Sequence, residues 1–278
     1  MKPLVLYHFP CWDGYGAAWA AWRALGNAAE YRPVRHADHF PEDVGGRDVY
    51  ILDFSWPPAD IAPAINGDNP PAKITIIDHH ASALRQWQDV IKIPLIWTKF
   101  NVDHSGAVLA WQHFHEEMVP NLLRYIEDRD LWRFALPKTA EVQSWLRSWP
   151  CTFEGWDVLK KDLDTHFDQV VAEGTSILRF QMEQVRSMAD EVNWKDIGGY
   201  WVPYANATVF YSDVGQELCN RFPAAAFAAY YRVRSDGKRE WGLRATGQTN
   251  VDVSLVAQQY GGGGHPQSAG FIEDLRDS

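Results

Sequence analysis

The sequence predicts an α/β fold with three parts. These are an N-terminal domain built on a parallel sheet with helices on both faces, a helical linker, and a smaller C-terminal α+β domain. Three observations predict it. Short apolar runs at residues 4–7, 49–52 and 74–77 are continuous and aliphatic or β-branched, as expected of strands buried on both faces. Helical patterns lie between or after them. From about Gly198 onward the pattern changes to alternating strands around a short helix.

Taken in order, the run 4–7 ends at His8 and a turn, HFPCWDG, before the helical pattern GAAWAAWRAL at 16–25. The run 49–52 ends at Asp53, and a weaker helical pattern follows at 58–65. The run 74–77 ends at Asp78-His79-His80. In open α/β sheets, ligands bind outside the carboxyl ends of the strands, and all three polar clusters fall at that edge. A fourth run at 93–97 precedes Ser105, which predicts an N-cap for a helix from Gly106 to about Met118. A helix over 121–126 leads into EDRD. Residues 153–193 read as helical throughout and as a bridge between domains. Three strands then follow, at YWVPYANA, AAFAAYYRV and REWGLRAT, with SDGK as a hairpin turn and VGQELCNRF as a short helix. The end reads as a helix, a four-glycine loop closing on His265, and a final strand. The expected domains are 1–150, 151–195 (linker) and 196–278.

Composition narrows the function. The 278 residues, 46% hydrophobic and 14% aromatic, suit a folded globular protein of one large or two modest domains. No stretch approaches the ~20 apolar residues that span a bilayer. The N-terminal apolar run is too short for a signal peptide, so a cytoplasmic protein without membrane partners is expected. Three cysteines without CxxC spacing argue against a disulfide framework and a structural zinc site. A net charge of −10 disfavours long nucleic acid, whose binding draws on basic grooves, and favours a short anionic ligand or a divalent cation. The fourteen tryptophans read mainly as core, with room for one or two that stack on a base.

The strand-end residues carry the chemistry. His8, Asp13, Asp53, His79 and Asp128 offer nitrogen and carboxylate ligands from separate segments, a mixture suited to Mn²⁺ and similar ions. Two ions ~3.5–4 Å apart form a recurring device for phosphoester hydrolysis. Asp53, on the middle strand, is placed to bridge them. In the C-terminal region, GGGGHPQSAG offers backbone N–H groups to an anion, with His265 beside them and Arg244 as the nearest basic side chain. His104 stands before a helix N-terminus, where anions bind readily. His113 and His115 read as surface or packing residues, and His36, His39 and His166 as exposed.

Together HFPCWDG, LDFS, IDHHAS, EDRD and GGGGHPQSAGF resemble the DHH phosphoesterase superfamily, including its oligoribonuclease-like and single-strand exonuclease relatives. The later motifs resemble the DHH-associated C-terminal domain. The resemblance runs in order along nearly the whole chain. It implies a phosphodiesterase that uses two Mn²⁺ ions, or other divalent metals, to activate water against short oligonucleotides or small nucleotides. It implies metal ligands at His8, Cys11, Asp13, Asp53, His79 and Asp128, with Asp130 competing for the last place. Asp78 would support His79, and His80 would face the phosphate. His104, Arg244, Gly263, Gly264 and His265 would hold the substrate. One departure stands out. Cys11 replaces the first carboxylate of the family's Asp-x-Asp, either as a thiolate ligand or as a bystander. Inorganic pyro- or polyphosphate hydrolysis and a degenerate nucleotide-binding module are the competing readings, and a homodimer is compatible with the sequence.

Overall fold

The computed structural model describes residues 1–35, 38–88, 93–246 and 249–274. Two compact units divide the chain, Met1–Leu178 and Arg179–Ser278.

The first unit opens with β1 (Leu4–His8), α1 (Trp12–Leu25), β2 (Glu30–Val34), β3 (Asp48–Leu52), α2 (Pro58–Asn66), β4 (Lys73–Asp78), α3 (Ala81–Trp87) and β5 (Ile96–Phe100). The five strands form one parallel sheet in the order β2-β1-β3-β4-β5. Strand period two explains its layering. Val5, Tyr7, Leu52 and Ile77 pack on one face against α1 residues such as Trp19. Leu4, Leu6, Ile51, Ile74 and Ile76 pack on the other with Ile61 of α2 and Trp87 of α3. Continuous apolar runs are therefore what this sheet needs. β2 lacked that signal because EYRPV is an edge strand with one partner and mixed polarity. β5 begins three residues later than the 93–97 run suggests.

Four helices follow: α4 (Gly106–Phe114), α5 (Asn121–Asp130), α6 (Thr139–Leu146) and α7 (Phe153–Thr165). α4 is capped as expected, Ser105 Oγ accepting from Val108 N at 3.4 Å. The segment expected to bridge the domains is built otherwise. His166 separates α7 from α8 (Phe167–Asp190). Trp156, Leu159 and Leu163 of α7 are buried in the first unit's core, where Trp156 stacks on Trp12. The division between units falls inside α8, at 178/179, rather than at 150 and 195. Apolar periodicity alone cannot separate a core helix from a linker.

The second unit contains β6 (Asn193–Ile197), β7 (Tyr200–Asn206), α9 (Tyr211–Arg221), β8 (Ala228–Val233), β9 (Lys238–Arg244), α10 (Val253–Gln258), β10 (Gly263–His265) and β11 (Ser268–Asp274). Its mixed six-stranded sheet runs β10-β11-β9-β8-β7-β6. Ala229, Leu243, Trp241 and Phe271 point into one core with α10. Ala228 and Ala205 pack with Val214 and Leu218 of α9 in another. The β8–β9 hairpin closes at SDGK, with Arg234 N bonded to Lys238 O. The polar strand β6 carries no strand signal in sequence, only its first residue falling in the segment read as helical, and its ladder with β7 makes it a strand. No helix among the described residues is long and apolar enough to cross a membrane.

Candidate metal centre

Parallel pairing of β1, β3 and β4 brings His8, Asp53 and the Asp78-His79-His80 triplet to one sheet edge. Asp53 follows β3 in a left-handed conformation (φ 55°), a strained geometry that concentrates at functional sites. Two helices add to this edge. Asp13 lies in the first turn of α1 and Asp130 ends α5. Gly14 makes the first approach feasible, since a Cβ there would lie 2.1 Å from the His8 carbonyl oxygen.

The ligand-type atoms converge. His79 Nε2 lies 3.1 Å from Asp53 Oδ1, 3.5 Å from Asp13 Oδ2 and 3.6 Å from Asp130 Oδ2. His8 Nδ1 lies 3.5 Å from the other Asp53 oxygen, Oδ2. Three sets with one ligand atom per residue, all within 4.8 Å, therefore share Asp53: His8 with Cys11, Asp13 with His79, and Asp78 with His80. Asp53 is fully buried, yet neither of its carboxylate oxygens has a hydrogen bond of ordinary geometry. A buried carboxylate without such partners is costly unless it meets a cation. The residues thus fit a pair of divalent ions with Asp53 between them.

Supporting contacts fix the shell. Asp13 accepts from Gly106 N at 2.6 Å and Ala107 N at 3.0 Å, which ties the carboxylate to the first turn of α4. A Cβ on Gly106 would stand 2.6 Å from both Asp53 Cβ and Oδ1. Sequence reasoning missed Gly106, and nothing local signals it. Asp78 Oδ1 accepts from His79 N (2.7 Å) and His80 N (3.2 Å), and pairs with His80 Nδ1 at 2.7 Å. Asp78 thereby orients the His80 imidazole.

The electrostatics are those of crowded acids. Burial, then the charges of Asp53 and Asp130, push Asp13 well above the usual carboxylate range. Burial raises Asp130 as well. Burial opposes ionisation of Asp53, but the neighbouring His79 and His8 imidazoles prevail and hold it well below. Desolvation disfavours the His79 cation, yet Asp53, Asp130 and Asp13 raise it well above its ordinary value. Burial followed by the same three carboxylates pushes the Cys11 thiol up.

Asp128 does not join them, and this corrects the expected ligand set. Its oxygens accept from Ala135 N (2.9 Å), Leu136 N (3.0 Å) and Thr139 Oγ1, holding the loop between α5 and α6. Asp130 is the residue beside His79. His104 pairs instead with Glu127 Oε2 at 3.0 Å, an oxygen that also accepts from Ser105 N at 2.9 Å. His113 and His115 are partly buried, in ring contact with Trp97 and Trp111. His39 and His166 are exposed, and His36 lies outside the described residues. A cavity of about 300 Å³ beside Tyr125, Leu136 and Phe167 involves none of the converging residues.

In the second unit the expected glycine loop is partly a strand. Gly263, Gly264 and His265 form β10, an edge strand paired with β11 through the turn at Pro266-Gln267. In that ladder His265 faces Ser268, and Ser268 faces Arg244 of β9. Arg244 and His265 thus occupy one cross-strand row, with Arg244 7% exposed. Pairing uses backbone that the loop reading left to an anion. The side chains of this row remain as its ligand-type groups.

No family model matches the sequence. An uncharacterised protein of Acanthamoeba polyphaga mimivirus is 27% identical over 294 residues, and the alignment covers 96% of this chain and 66% of that protein. The chain therefore spans just under two thirds of the length of this relative. Among solved structures, the DHH domain of a protein described as belonging to a family of ribosomal proteins superposes with a TM-score of 0.60. It is 16% identical, over 98% of this chain and 82% of that one. RecJ from Thermus thermophilus in complex with Mn²⁺ superposes with a TM-score of 0.47, 14% identical, over 99% of this chain and 50% of that one. The first of these two superpositions shows that the chain has the DHH-domain fold.

Proposed function

We propose that the chain is a divalent-metal-dependent phosphoesterase of the DHH superfamily, cleaving phosphodiester bonds in short oligonucleotides or small nucleotides. The observation that carries the proposal is the position of Asp53. Its two buried oxygens face two different ligand sets, one through His8 and one through His79. Asp13, Asp130 and His79 with one Asp53 oxygen form a hard oxygen-nitrogen set suited to Mn²⁺. Bound ions at this edge would lower the pKa of water and offset phosphoryl charge.

The residues divide the remaining work. The first turn of α4 holds Asp13, so its position does not depend on the ion. Burial of Asp53, Asp13 and His79 keeps bulk water from competing for their ligand atoms. Asp78 accepts a hydrogen bond from His80 Nδ1 and favours the imidazolium, whose Nε2–H would face a phosphate oxygen or give its proton to the leaving oxygen. Arg244 and His265, neighbours through Ser268, supply cationic and neutral donors for a second phosphate or a terminal phosphate. The net charge of −10 supports a short substrate over a long polymer.

The test is hydrolysis of a dinucleotide with Mn²⁺ present. The proposal expects mononucleotide product, loss of activity on chelation, and loss in Asp53→Asn without loss of fold. Turnover of pyrophosphate but of no phosphodiester would reassign the substrate. No turnover of any phosphoester with any divalent ion would end the proposal.

A further inference from the structure

Two of the ligand sets around Asp53 are chemically unlike. One holds only oxygen and nitrogen atoms, from Asp13, Asp53 and His79, with Asp130 alongside. The other includes sulfur: Cys11 Sγ, a His8 nitrogen and an Asp53 oxygen lie within 4.8 Å of one another. Cys11 stands at the N-cap of α1, where Ser or Asp ordinarily uses its side chain to hold the helix start. Here the side chain makes no capping hydrogen bond. The Cys11 carbonyl accepts the first bond of the helix, from Tyr15 N at 2.9 Å. The thiol is gathered with two other ligand atoms. The second observation is Asp53 itself, fully buried and lacking a well-formed hydrogen bond at either oxygen.

We propose that the centre is a mixed-metal site. Cys11, with His8 and one oxygen of Asp53, holds a thiophilic ion (Zn²⁺, Fe²⁺ or Co²⁺), while the oxygen-rich set on the other side of Asp53 holds a hard ion such as Mn²⁺. The inference rests on the two-ion reading above and adds which ion goes where. The physical basis is ligand softness. Thiolate selects soft and borderline ions, and carboxylate suits Mn²⁺. On binding, the S–H bond breaks, sulfur keeps the electron pair as the metal–sulfur bond forms, and the proton leaves to solvent. No oxidant or reductant is involved. A carboxylate at position 11 would make the two sets alike, whereas the thiol makes them different. Cys151 and Cys219 belong to neither set. Cys219 is buried, with its thiol on the Arg244 carbonyl, and Cys151 is half-buried near the start of α7.

Cobalt reports the thiolate directly. Dialysed full-length protein is titrated with Co²⁺ and followed by absorption, alongside Cys11→Ser and Cys11→Asp. Their folds are checked by circular dichroism. The proposal expects a sulfur-to-cobalt charge-transfer band in the near ultraviolet that grows over the first equivalent and is absent in both variants. With one equivalent of Zn²⁺ and a large excess of Mn²⁺ supplied together, wild type should retain one of each, and Cys11→Asp should hold less zinc against the same excess of Mn²⁺. Two bound cobalt ions without the band, or a band that survives in Cys11→Ser, would overturn the thiolate assignment and leave the two-ion reading standing. If wild type bound no divalent ion, both would fall.

Discussion

Gly106 and Asp53 approach so closely that a methyl group on the glycine would lie 2.6 Å from the aspartate's Cβ and Oδ1. The start of α4 therefore touches both sides of the cluster. Its backbone N–H groups hold Asp13, and its lack of a side chain admits Asp53. Gly106→Ala should displace Asp53 and lower Mn²⁺ affinity by roughly 10- to 100-fold, the range found when groups that orient ligands are disturbed. The overpacking should cost about 1–3 kcal/mol. Calorimetric Mn²⁺ titration and urea unfolding read the two effects separately. Unchanged affinity would show that the contact does not position Asp53.

Asp128 and Asp130 should separate structure from metal binding. Asp128→Ala removes the acceptor for two backbone N–H groups and the Thr139 hydroxyl, so stability should fall by about 1–3 kcal/mol while metal binding persists. Asp130→Ala removes one carboxylate from a crowded set and should leave metal-free stability unchanged or higher while weakening metal binding. Paired unfolding and metal-binding curves check both, and the reverse pattern would restore Asp128 as the ligand.

Asp78→Asn should keep both ions, since Asp78 Oδ1, although within reach of Asp53, is taken up by His80 Nδ1 and the backbone N–H groups of His79 and His80. It should lower turnover by roughly 10- to 100-fold through loss of His80 orientation. Metal analysis beside initial rates tests this, and loss of an ion would move Asp78 into the ligand set.

Away from the site, Arg32 donates to both oxygens of Asp43 at 2.8 and 2.7 Å and holds its carboxyl down at about 2. The folded value is depressed, so the pair's stabilisation is complete above the unfolded value of about 3.9 and is lost as pH falls towards 2. Asp43 is 57% exposed, so the effect is screened and small. Asp43→Asn should destabilise the metal-free protein modestly at pH 7 and not at all below about pH 2. A deficit independent of pH, in urea unfolding at several pH values, would contradict the ion-pair account.

The strand ends were legible because a parallel sheet buried on both faces demands continuous apolar runs, and His8, Asp53 and Asp78-His79-His80 interrupt them at one edge. The choice within EDRD was not legible. Asp128 and Asp130 are two residues apart on a helix, hence rotated by about 200°, and only the packing of α5 decides which one turns inward. Gly106 was hidden for a related reason: its neighbour Asp53 is distant in sequence. The linker reading failed because α7 is amphipathic in the ordinary way, and only tertiary contacts show Trp156 buried against Trp12.

The central claim, that Asp53 bridges two ions, is tested most directly by counting metal. Protein equilibrated with Mn²⁺ and freed of excess should contain two ions per chain by elemental analysis, and Asp53→Asn at most one. Two ions retained by a folded Asp53→Asn variant, or none bound by wild type, would contradict it.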